Sequence, residues 1–130
     1  MEALSVLSLK NNNLCNKEAG KALAQALAGN TTLRELDVSC NQSPTNDYSA
    51  RDGPGFAQEL AVGISGNGAL STVTMYKFRL PIQDIKTKIE QDFSGKELCS
   101  LDAIVIAALL PLNVSGTPFA YPVIADIAFC

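Results

Sequence analysis

Apolar residues recur along this chain at fixed offsets. In LSVLSLKNNNL (4–14), Leu4, Leu7, Leu9 and Leu14 stand at offsets 0, 3, 5 and 10, with Asn12 at offset 8. In LRELDVSCN (33–41), Leu33, Leu36, Val38 and Asn41 repeat offsets 0, 3, 5 and 8. LSTVTMYKFRL (70–80) places Leu70, Val73, Met75, Phe78 and Leu80 at 0, 3, 5, 8 and 10. KIEQDFSGKEL (88–98) is a weaker fourth copy, with Lys88, Gln91, Phe93, Lys96 and Leu98 in those slots. The apolar pair at offsets 3 and 5 lies on one side of a short strand, so each copy predicts a strand with one buried face.

The segments between the copies read as helices. Over 17–28, Ala19, Leu23, Ala26 and Leu27 share one face, and Gly29 marks a stop. Asp52 and Pro54 open a second helix that buries Phe56, Leu60 and Ile64. Its register follows the first, Leu23 with Leu60, Leu27 with Ile64, Asn30 with Asn67 and Leu33 with Leu70. Ser100 is placed to cap a third helix over 101–110, before Pro111. PIQDIKTKI (81–89) has room for one or two turns.

With strand starts at 4, 33, 70 and 88, this pattern resembles the leucine-rich repeat family, whose strand segment reads L-x-x-L-x-L-x-x-N/C-x-L. The 29-residue first step and the intervening helices point to its ribonuclease-inhibitor-like subtype. The resemblance covers about residues 3–113, and implies an α/β solenoid segment, with parallel strands on the concave face and helices on the convex face. The division that follows is a repeat segment over 1–116 and an irregular apolar tail or strap over 117–130. Asn12 and Asn41 share offset 8, where a buried amide supplies two donors and an acceptor to turn backbone. They form an expected asparagine ladder, while Asn67, near a helix end, is given a smaller role.

The pattern breaks in three places. The second step is lengthened by QSPTNDYSARDG, which reads as an exposed loop insertion over 42–53. The third step is short. Neither end carries a polar capping unit, which makes the ends surfaces for self-association and fits a piece of a longer array.

Composition narrows the function. A hydrophobic content of 47% with 18% charged residues is that of a packed domain, and a net charge of −3 leaves no basic footprint for nucleic acid or an anionic membrane. The sequence has no histidine and no C-x-x-C among Cys15, Cys40, Cys99 and Cys130, so a zinc site is not expected and no Ser-His-Asp or Cys-His catalytic group can be assembled. No secretory signal or membrane-length apolar run is present, which points to a cytoplasmic chain with reduced thiols. No phosphate-loop motif is complete. Neither metal, cofactor nor catalysis is expected.

The outward strand positions remain. Val6, Ser8 and Lys10; Glu35, Asp37 and Ser39; Thr72, Thr74 and Tyr76; and Glu90, Asp92 and Ser94 alternate with the apolar ones. Four acids against one lysine make this an acidic face suited to a basic protein partner. Lys10, Glu35, Asp37, Thr74, Tyr76, Glu90 and Asp92 are the expected contact residues, with Tyr76 as anchor. The resemblance implies a protein-interaction scaffold. The alternatives are a GTPase-activator module using Arg34, Arg51 or Arg79, and a non-autonomous fragment of a longer array.

Overall fold

The computed structural model describes residues 3–14, 16–39, 41 and 53–110. The 42–52 part of the expected insertion, the 117–130 tail and Cys15, Cys40 and Cys130 lie outside them. The fold is mixed α/β. In chain order it runs β1 (Val6–Ser8), α1 (Lys17–Ala28), β2 (Glu35–Asp37), α2 (Gly53–Gly66), β3 (Thr72–Thr74), β4 (Arg79–Pro81), α3 (Ile82–Thr87) and α4 (Ser100–Leu109).

The four strands form one sheet in sequence order. β1, β2 and β3 are parallel, which the intervening helices permit, in the register Leu7–Leu36–Val73. These three side chains turn toward the helices. Leu36 and Val73 join Phe56, Leu60, Ile64, Leu70, Val105 and Ile106 in one buried cluster, and Leu7 packs against it from the side. α1 begins at Asn16, whose Oδ1 accepts from the Ala19 N–H at 2.8 Å, supplying one of the first turn's missing acceptors. Gly29 ends α1 at φ −106°, so this stop does not use the left-handed conformation. At α4 the cap is Cys99 rather than Ser100; the Asp102 carboxylate reaches back to accept the Cys99 N–H at 2.9 Å.

α1 and α2 pack closely. A Cβ on Gly63 would lie 2.5 Å from Ala24 Cα, and one on Gly20 would lie 2.5 Å from the Phe56 carbonyl oxygen. Only glycine lets these backbones approach so far.

The fourth strand differs from the sequence expectation. The slot beside β3 is filled by Arg79–Pro81, which returns antiparallel after a bend at 75–78 and pairs Leu80 with Val73. The hairpin is local and buries Leu80 fully, so the position beside β3 is occupied and not open to residues 88–94. Those residues form no strand beyond a single bridge residue at Glu90. The fourth copy nevertheless keeps the turn backbone of the first. Asn11 and Gly95, both at offset 7, have φ of 63° and 71°. Asn13 and Glu97, both at offset 9, have φ of 56°. Phe93 and Leu98 are buried at offsets 5 and 10.

Candidate interaction surface

Alternation in three-residue strands sets the outward face. Two rows cross the sheet, Val6–Glu35–Thr72–Pro81 and Ser8–Asp37–Thr74–Arg79. A shallow depression of about 170 Å³ lies along these rows. Glu35 and Arg79 span the strand between them as an ion pair, 3.5 Å from Oε1 to Nη1. Arg79 is largely and Glu35 partly exposed, so the pair adds little to the stability of the fold. Asp37 Oδ1 accepts from the Ser39 N–H at 2.9 Å and from the Ser39 hydroxyl at 2.6 Å, which fixes the carboxylate at the rim.

Of the residues expected on this face, Glu35, Asp37 and Thr74 lie on it. Lys10 is exposed in the turn after β1. Tyr76 is in the bend between β3 and β4, half-buried and packed against the core, with the Lys77 ammonium 5.2 Å from its ring centre. Glu97 beside Lys77, with Tyr76, raises the pKa of that ammonium. Glu90 and Asp92 belong to no strand of the sheet. Asp92 instead repeats the Asp37 arrangement, accepting from the Ser94 N–H at 2.9 Å and hydroxyl at 2.6 Å, and these bonds lower its pKa. The acidic-face expectation is corrected accordingly: Arg79 enters the face, two of its four expected acids leave the sheet, and its charges are mixed.

The expected ladder is corrected at Asn12: of the two asparagines, Asn41 bonds across to the neighbouring unit, while the exposed Asn12 amide stays within its own turn, because no described unit lies beyond it. Asn41 is buried. Its Nδ2 donates to the carbonyls of Leu9, Val38 and Ser39, and its Oδ1 accepts from the Asn12 and Leu14 N–H groups at 2.7 and 3.1 Å. Asn12 is exposed, and its amide donates only to Lys10 O at 3.2 Å among the described residues. At offset 8 of the third copy stands Phe78, packed edge-on against Phe93 with ring centres 6.0 Å apart, so an aromatic contact replaces the amide.

A second set, at the helix ends, was underestimated from sequence. Asn67 Nδ2 donates to Leu27 O and Asn30 O, both at 2.8 Å, while its Oδ1 accepts from the Ala69 and Leu70 N–H groups. Lys86 takes the next turn of this pattern, its ammonium donating to Ile64 O and Asn67 O at 3.0 and 2.7 Å. Burial lowers its pKa. The signal was present in the matched positions of Asn30 and Asn67.

Arg34 donates to Thr31 O and Ala69 O, and Arg79 is paired with Glu35, so both described arginines are engaged in local contacts. Outside the sheet face, a more apolar groove of about 320 Å³ runs beside Ala24, Gln25, Val62 and Gly63. No helix among the described residues is long and apolar enough to cross a membrane. Comparison with protein-family models, curated proteins and solved structures finds no match to this chain.

Proposed function

We propose that this chain is an intracellular leucine-rich repeat segment that binds a protein partner through the outward face of its sheet. The observation that carries the reading is the pair of cross-strand rows, which presents short side chains and an exposed Glu35–Arg79 pair around one shallow depression. Such a face offers a fixed pattern of donors, acceptors and both charge signs at strand spacing, with little side-chain entropy to lose on contact. The chemistry favours a partner carrying both charge signs. A partner residue of either sign can displace one member of the exposed ion pair at small cost.

The parallel strands joined through helices, together with the shared bonding of Asn41 and Asn67, support the repeat reading. Of the arginines that a GTPase-activator role would use, Arg34 and Arg79 are engaged in local contacts, and Arg51 lies outside the described residues.

A photoreactive residue at Thr74 tests the proposal, with the same group at Gln25 as control. Thr74 should crosslink a cellular protein that Gln25 does not. Capture from Gln25 alone would move the binding surface to the helices.

A further inference from the structure

The contact joining β1–α1 to β2–α2 has two sides, and β1–α1 carries both. Its inner side meets β2–α2. There the Asn12 and Leu14 N–H groups and the Leu9, Leu27 and Asn30 carbonyls are all taken by Asn41 and Asn67. Its outer side presents the positions that β2–α2 uses to make this contact. Asn12 matches Asn41, and Asn30 matches Asn67. Asn30 Oδ1 accepts from the Thr32 and Leu33 N–H groups just as Asn67 Oδ1 accepts from those of Ala69 and Leu70. Among the described residues, nothing accepts from Asn30 Nδ2 or donates to Asn12 Oδ1. These two atoms match Asn67 Nδ2 and Asn41 Oδ1, which bond across the inner contact.

Exposure follows the same division. Leu4 is 59% exposed where its match Leu33 is 5%. Leu7, Leu9 and Leu23 are half-buried, while Leu36, Val38 and Leu60 are buried. The β1 backbone meets β2 through Ser5 O and the Leu9 N–H. By strand geometry the Val6 and Ser8 groups then point outward from an edge that pairs with no other strand among the described residues. On α1, exposed Ala22 and Ala26 hold the places of Glu59 and Gly63, which face α1 across the inner contact. A helix can therefore approach closely there.

We infer that the outer edge of β1–α1 is an interface for one more strand–helix unit of the kind formed by residues 4–32, lying parallel to β1. The inner contact specifies this occupant. It must bring a parallel strand, outward N–H groups for Asn12 Oδ1, and helix-end carbonyls for Asn30 Nδ2. A second copy meeting β1 edge to edge would run antiparallel and satisfy neither asparagine. This inference concerns the edge of the sheet and does not depend on what binds its face.

The test inserts a second copy of residues 4–32 directly before Leu4 of the full chain, which preserves the 29-residue step from Leu4 to Leu33. The extended chain should unfold in one transition with a raised urea midpoint. The amides of the original Val6 and Ser8 should exchange more than about tenfold slower than in the parent. Asn12→Ala at the original position should lower the midpoint more in the extended chain than in the parent. An unchanged midpoint with parent-rate exchange at Val6 and Ser8 would overturn the inference, as would an extended chain that does not fold. So would a parent that sediments as a dimer with those amides already protected, since a second copy would then cover the edge.

Discussion

Asn67 and Leu27 are joined across 40 residues of sequence by a 2.8 Å bond from the asparagine amide to the α1 carbonyl. The same side chain donates to Asn30 O and accepts from Ala69 and Leu70, so one buried amide closes the end of α1 and shapes the turn into β3. Asn41 does the same work at the other end of the strand layer.

Asn67→Ala and Asn41→Ala should therefore cost similar amounts, about 1–3 kcal/mol each, because each leaves buried backbone groups without a partner. Urea titration of the two variants checks this. A loss at Asn41 well above that at Asn67 would show that the helix-end bonds contribute little.

Lys86→Met keeps the aliphatic stem and removes the ammonium that closes α2 at Ile64 O and Asn67 O. A loss of about 1–3 kcal/mol is expected. Lys88→Met should cost under about 1 kcal/mol, because Lys88 pairs with Asp84 at the surface. Thermal unfolding of both variants makes the comparison.

Gly63→Ala should destabilise by about 1–3 kcal/mol, since its Cβ meets the α1 backbone at Ala24. Gly68→Ala meets nothing within 4 Å and should stay within about 0.5 kcal/mol of the parent.

Asp102 gives the fold a pH dependence. It is fully buried, one carboxylate oxygen has no hydrogen-bond partner among the described residues, and burial raises its pKa above 3.8. With the folded value above the unfolded one, its favourable contribution is complete below 3.8 and is lost as pH rises through the folded value. Asp102→Asn keeps an acceptor for the Cys99 N–H without the charge. The parent should gain on this variant as pH falls from 7 toward 4, read as the difference in urea midpoints. A difference that does not move with pH would show that Asp102 is solvated.

Much of the fold could be read from spacing. Three strands and the helices after the first, second and fourth copies fall where Leu36, Val73, Leu60 and Ile106 had to be buried, because periodicity reports a buried face directly. The hairpin to β4 was not legible. Leu80 satisfies offset 10 of the third copy, and the same leucine serves equally as the inward residue of a returning strand. Spacing alone does not distinguish these. The face was read from the same alternation, so Glu35, Asp37 and Thr74 were placed correctly while Glu90 and Asp92 followed the misplaced strand. Arg79 reached the face only through the hairpin. Asn67 was undervalued because its partners, Leu27 and Asn30, lie in a neighbouring unit, and one-dimensional register does not show contacts between units.

Binding at the sheet face is tested most directly by the affinity of the crosslinked partner for Thr74→Arg, which fills the row between Asp37 and Arg79. The substitution should weaken binding by more than about tenfold, near 1.4 kcal/mol, with the unfolding midpoint unchanged. Gln25→Arg, on α1, should leave the affinity as it is. Full affinity for Thr74→Arg together with a loss at Gln25→Arg would place the partner on the helices and contradict the sheet-face reading.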